Sequence, residues 1–229
     1  MSEKETAPAL LYRDALMLVV DKPAGVAVHP GPKGGPSLED SFDRLRFGLP
    51  RSPALAHRLD RETSGCLVLG RHRKALAKLG LMFKQGTILK TYWAIVAGGP
   101  QTQEGFIDRP LGRLDAMRGW WMKEDPNGQP AQTRWRALGR GSVEGVAVAW
   151  LEMSPLTGRT HQLRVHAAAE GWPILGDSIY GDRARRDTPL QLLARRVEVP
   201  LYPSKAPIVV EAPPPDHMLK VLTACGFAG

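Results

Sequence analysis

The stretch His57-Arg58-Leu59-Asp60-Arg61-Glu62-Thr63-Ser64-Gly65 concentrates ionisable and hydroxyl-bearing side chains between two apolar flanks. Folding draws such flanks into a core and leaves the polar turn at the end of a sheet. The arginines on either side of Asp60 favour its charged form. An ionised, partly desolvated carboxylate serves as a nucleophile or a base. The same residues also suit a salt-bridge cluster that pins a hairpin, and residue types alone leave both readings open.

A second cluster, Thr157-Gly158-Arg159-Thr160-His161-Gln162-Leu163-Arg164-Val165-His166, stands where a helix should begin. The backbone N–H groups of a helix start favour an anion nearby. With Thr160 as the cap, His161 and Arg164 lie one turn apart on one face, and Leu163 and Ala167 pack inward. Arg164 then reaches a carboxylate presented by another strand, for which Asp60 is the obvious partner. The alternative is an amphipathic helix with a solvated basic face. His161 and His166 do not match the H-E-x-x-H metal pattern, so no metal is expected. In Lys90-Thr91-Tyr92-Trp93-Ala94, strand alternation points Lys90, Tyr92 and Ala94 one way and Thr91, Trp93 and Ile95 the other. Tyr92 is therefore either a stacking platform for a flat base or a core tyrosine with a satisfied hydroxyl.

These groups must be held by elements that the apolar pattern delimits. Residues 1–10 read as a flexible tail. Ala15–Val20 reads as a buried strand, and Ser37 caps a short helix with Leu38, Phe42 and Leu45 on one face. Extended chain from Ala54 leads through a turn at Glu62–Gly65 into a buried strand at Cys66–Leu69. A helix over 73–84 is closed by Gly86, and a strand covers Ile88–Val96. The segment 109–132, with Arg113, Arg118, Trp120, Trp121 and Lys123, reads as a hairpin or mobile insertion. Strands follow at Thr133–Leu138 and Val146–Met153, then the Thr160–Glu170 helix stopped by Gly171. Strands at Leu190–Val199 and Ile208–Glu211 precede a final helix at Asp216–Cys225. Strands outnumber helices without alternating regularly with them. The expected class is therefore α+β with a mixed, mostly antiparallel sheet in one domain spanning 1–229.

Composition narrows the function. Of 229 residues, 43% are hydrophobic and 24% charged, which excludes wholesale disorder. No apolar run reaches the roughly 18 residues of a membrane span, and the N-terminus does not read as a signal peptide. Two cysteines cannot form a disulfide framework, so a soluble cytoplasmic protein is expected. Lys plus Arg exceed Asp plus Glu by 31 to 23, a net charge of +8, which attracts polyanions such as nucleic acid.

Four segments together resemble the RluA family of RNA pseudouridine synthases. AHRLDRETSGCLVLGR is similar to the family's H-R-L-D-x-x-T-S-G signature, and LTGRTHQLRVHAAAEGWPILGDSIYG to its G-R-x-H-Q-[IL]-R-x-H and P-[IL]-x-G-D-x-x-Y-G hallmarks. KTYWAIVAG is similar to the K-x-Y-x-A-x-V-x-G strand, and VVDKPAGVAVHP to the opening D-K-P-x-G segment. The matches run from Val19 to Gly181 in the family's order. The resemblance implies that Asp60 is the catalytic aspartate, that Tyr92 stacks on the target base and that Arg164 ion-pairs with the catalytic carboxylate. It further implies that Arg58 enters the RNA in place of the flipped uridine. The isomerisation it implies needs neither redox step nor group donor, so no cofactor is expected. His57, Arg61, Arg159, His161 and Lys90 complete the expected RNA-binding set, on a monomer acting on ribosomal or transfer RNA. The chain departs from the family where leucine replaces histidine in Leu192-Leu193-Ala194. With only about 15 residues before the first expected strand, no S4-type domain of ~50 residues is expected in this sequence. RNA recognition is then expected to rest on the catalytic domain, helped by 109–132. Two other chemistries share these residues: an N-glycosidase using water at C1′, and an RNA-binding module without activity.

Overall fold

The computed structural model of the protein describes residues 7–31, 34–115, 117, 121–182 and 188–229. They form two compact units, one comprising the chain through Lys90 with Ala194–Pro213, the other Thr91–Leu193 with Pro214–Gly229.

In the first unit, β1 (Ala9–Arg13) pairs antiparallel with β2 (Met17–Lys22), and β2 with β4 (Ser64–Gly70), on which β3 (Ala54–Leu55) forms a short rung. Met17 to Val20 and Cys66 to Leu69 are wholly buried, as continuous apolar runs in central strands should be. The β2–β4 register sets Lys22 opposite Gly65, whose φ of 103° suits glycine, at the end where the polar turn emerges. Beside β4 lies β11 (Leu192–Val199), paired antiparallel with β12 (Ile208–Glu211). A 3-10 helix over Leu38–Leu45 buries Leu38, Phe42 and Leu45, the face expected from the sequence. Helix α1 (Arg73–Lys84) is capped by His72, whose Nδ1 accepts the Ala75 N–H, and buries Ala75, Leu79 and Met82.

In the second unit, β5 (Leu89–Ala97), β10 (Val146–Pro155), β9 (Gln132–Val143) and β6 (Glu104–Asp108) form an antiparallel series in that order. Helix α2 (Gln162–Ala169) covers one face, where Leu163 and Ala167 join Ala94, Val96, Leu151 and Met153 in the core with Tyr92 packed against it. Trp93 and Trp150 lie on the opposite face, meeting edge-on at 4.7 Å, each 5.7 Å from Phe227. There the end of α3 (Asp216–Ala224) lies directly on β9. A small hairpin of β7 (Leu111–Arg113) and β8 (Met122–Glu124) packs on α2 through Leu111, Met122 and Val165.

Three expectations are corrected. Ala9 and Leu10 belong to a strand; β1 is an edge strand largely exposed to solvent, so it lacks the apolar alternation that would announce it. The edge strand β6 was unmarked for the same reason. Helix α2 starts after His161, which takes the left-handed conformation (φ 54°, ψ 18°), so Thr160 is not its cap. Within 109–132, Leu111–Arg113 and Met122–Glu124 pair as antiparallel strands. Of the side chains singled out there, Arg118 and Trp120 lie outside the described residues.

A Cβ at Gly139 would overlap the Cys225 carbonyl oxygen, whereas one at Gly80, inside α1, meets nothing within 4 Å. Gly139→Ala should therefore destabilise the protein by about 2 kcal/mol. Gly80→Ala should stabilise it by about 0.5–1 kcal/mol. Urea unfolding measures both, and equal effects would contradict the close approach of α3 to β9.

Candidate active site

Asp60 stands at the head of a tight turn that ends at Thr63, whose N–H donates to the Asp60 carbonyl at 3.2 Å. Its side chain is half-buried, while Leu59, Thr63 and Ser64 around it are buried. The turn is tied down from both ends. Before it, His57 accepts the Val68 N–H at Nε2 (2.9 Å) and stacks on Phe83 at 4.3 Å, fastening the segment to β4 and α1. Behind it, Lys22 is fully buried and donates its three protons to the carbonyls of Pro23 (2.7 Å), Val26 (2.7 Å) and Arg61 (2.8 Å). Arg61 in turn donates from Nε to the Gly25 carbonyl at 2.9 Å, so the Pro23–Val26 loop and the turn hold each other. Burial pushes the Lys22 ammonium down to about 8 despite the Glu62 and Asp60 carboxylates nearby. Burial likewise drives His57 down to about 3, so its ring is neutral. The geometry makes His57 a strut for the turn, which accounts for it without an RNA contact.

In the second unit Tyr92 sits on β5 opposite Met153, half-buried over the α2 side of the sheet. Arg164 projects from α2 and is only 4% exposed, which corrects the picture of a solvated basic face. Asp177, wholly buried as a side chain, grips it in a fork: Nε donates to Oδ2 and Nη2 to Oδ1, each at 2.8 Å. Asp177 Oδ1 also accepts the Ile179 and Tyr180 N–H groups. Burial alone would raise this carboxyl; the guanidinium and the backbone donors outweigh it and hold the pKa below the usual carboxylate value. Tyr180 then lies over the Arg164 guanidinium, its ring centre 5.3 Å from the central carbon.

The start of α2 is fixed by a saturated network. Gln162 donates from its amide to the Gln132 carbonyl and the Thr133 hydroxyl, and accepts from the Thr157 hydroxyl and the Arg159 N–H. His166, fully buried, donates from Nε2 to the Arg109 carbonyl, which can only accept; its Nδ1 therefore accepts from Thr133 Oγ1 at 2.9 Å. Burial lowers its pKa, keeping it neutral. His161 is buried against Tyr180, whose hydroxyl lies 2.8 Å from Nδ1, so it too is an internal contact first. Arg159 donates from Nε to the Pro130 carbonyl at 2.9 Å, and Arg58 is exposed. Lys90 is partly buried, which lowers its pKa.

Sequence reasoning passed over Lys22, Asp177 and Tyr180. All three fall inside quoted motifs, D-K-P and G-D-x-x-Y-G, yet nothing in residue type reveals that they hold other side chains. Among the described residues no group of three or more His, Cys, Asp or Glu side chains could hold a metal, and no helix is long and apolar enough to cross a membrane.

The family model described as RNA pseudouridylate synthase matches residues 16–169, and the chain belongs to that family, in its RluA-like branch. It is thus an RNA pseudouridine synthase, an isomerase, which sets aside the hydrolytic and non-catalytic alternatives. It is 41% identical over 224 residues to an uncharacterized RNA pseudouridine synthase of Zymomonas mobilis, covering 96% of this chain and 98% of that protein. It is 38% identical over 183 residues to ribosomal large subunit pseudouridine synthase C of Vibrio cholerae, covering 78% of this chain and 55% of that one. Among solved structures it is similar to human RNA pseudouridylate synthase domain containing 1, with a TM-score of 0.78 and 29% identity over 93% of this chain and 85% of that chain. The α+β fold with its mostly antiparallel sheet agrees with that likeness.

Lys22 provides a test of the clamp. Between about pH 8 and 10.5 the folded protein holds fewer protons at this residue than the unfolded chain, whose lysine keeps the ordinary 10.5. The stability of the wild type relative to Lys22→Met should therefore rise with pH across that window. Urea unfolding at several pH values measures it; a flat or falling difference would mean that the three carbonyls keep the ammonium charged.

Proposed function

We propose that Asp60 is the catalytic carboxylate, acting on specific uridines of structured ribosomal or transfer RNA. The observation that supports it is the construction of the Asp60 turn. A half-buried carboxylate is kept near a buried ammonium, on a turn whose backbone is tied to Lys22 and to the Pro23–Val26 loop. The likeness to ribosomal large subunit pseudouridine synthase C favours a ribosomal substrate.

The reaction opens the bond between uracil N1 and ribose C1′, turns the held base and joins C5 to C1′. The C5 proton is lost and N1 gains one, so no donor or redox partner is consumed. Asp60 serves this as a nucleophile at C6 or C1′ or as a base at the ribose. Arg164 is the residue proposed to orient it. Tyr92 stacks on the extruded uracil, and Arg58 fills its place in the RNA, offsetting the few kcal/mol that base flipping costs. Arg61, Arg159 and Lys90 meet phosphates, and the 109–132 hairpin extends the RNA surface with Arg113 and Lys123. The two units act as one catalytic domain, as a cytoplasmic monomer.

Asp60→Asn keeps the shape and removes the charge. It should abolish tritium release from C5-labelled uridine in bulk tRNA and rRNA, with RNA affinity within about threefold of wild type; normal turnover would overturn the assignment. Mapping pseudouridine in cells with and without the protein identifies the RNA. Tyr92→Phe should keep most activity. Tyr92→Leu should lose about 10–100-fold, as stacking is worth ~1–3 kcal/mol per base; equal behaviour of the two would remove the stacking role.

A further inference from the structure

Tyr180 touches three separate elements at once. Its hydroxyl accepts the Met122 N–H of β8 at 2.9 Å and lies 2.8 Å from Nδ1 of His161, the residue that caps α2. Its ring meets the His161 ring edge-on at 5.5 Å and covers the Arg164 guanidinium at 5.3 Å. Its own N–H donates to Asp177, the partner of Arg164. An aromatic side chain has only two rotatable bonds, so a displacement at the hydroxyl end is transmitted to the ring face. The Met122 N–H of β8 thus goes to a side chain, while the base of the hairpin is held elsewhere, by Arg109 bridging Glu124 and Glu170.

We infer that Tyr180 is a positioning residue which couples the hairpin to the arginine: seating of RNA on β7–β8 is felt by Arg164 through the tyrosine ring. This rests on the reading of the hairpin as an RNA surface. A hydroxyl with no such task would be dispensable, because phenylalanine covers the guanidinium equally well. The left-handed backbone of His161, uncommon for a residue other than glycine, places its ring against that hydroxyl.

The test is a double-mutant cycle in the full chain, read as kcat and KM for tritium release from bulk tRNA and rRNA. Arg113→Ala with Lys123→Ala should lower kcat/KM about tenfold in the wild-type background, part of it in kcat. Tyr180→Phe alone should cost about tenfold, the size of two lost neutral hydrogen bonds. In the Tyr180→Phe background the hairpin substitutions should cost less than about twofold further, because the link is already cut. Penalties that multiply would overturn the coupling and leave Tyr180 a structural residue. A hairpin variant as active as wild type would overturn it as well, while leaving the Asp60→Asn result untouched. Should Tyr180→Phe fail to fold, Met122→Pro replaces it in the cycle. It deletes the same N–H, which goes to Tyr180, and proline is tolerated where no ladder bond is needed.

Discussion

A guanidinium that is 4% exposed survives inside a protein only if its charge and its donors are answered locally, and Asp177 answers Arg164 with a two-point fork. Each ion pays several kcal/mol in lost hydration, and removing one partner of such a pair is worth about 3–5 kcal/mol of destabilisation because the other stays buried. The pair therefore dictates its surroundings. Asp177 must be anionic, so the chain after it curls back to present the Ile179 and Tyr180 N–H groups. Helix α2 must be short and enclosed, with Gln162 and His166 saturated because neither can turn to water.

The first unit solves a related problem differently. Lys22 has no carboxylate in contact among its hydrogen-bond partners; three carbonyl dipoles take its three protons, and Asp60 and Glu62 act through space. Carbonyls cannot leave with a proton or swing away, so a lysine held this way fixes backbone, and the backbone it fixes belongs to the residue after Asp60. The main chain of the Asp60 turn is thus fixed by a buried side chain rather than left to the turn alone.

How much of this could be read from the sequence follows from where each signal resides. Buried strands declared themselves: the β2 and β4 runs are apolar at every position, and the helix at 73–84 and the final helix carry their periodicity openly. Edge strands did not, since β1 and β6 are exposed and their pairing partner, not their composition, makes them strands. The start of α2 was misplaced because Thr160 has the chemistry of a cap, whereas the true cap is His161, in a left-handed conformation and in contact with Tyr180. Asp60, Tyr92 and Arg164 stood out by residue type and spacing, but their particular roles were implied only by the family resemblance. The groups that hold them, Lys22 and Asp177, are single polar residues in apolar or turn contexts, and a sequence cannot distinguish a buried charge from a solvated one.

The charges of this chain fall into two populations with different physics. Arg164, Lys22 and Asp177 are buried and answered locally. The surface pairs, Arg46–Asp43, Arg136–Glu152 and Arg196–Glu198 among them, are partly or largely exposed, and solvent screening leaves each of them little to contribute. An arginine in such a pair can exchange its carboxylate for a phosphate at little cost, and the surplus of +8 ensures that the exchange favours the polyanion. A polyanion can therefore exchange with the outer pairs at little cost, whereas taking away either partner of the Arg164–Asp177 pair leaves a buried charge unanswered.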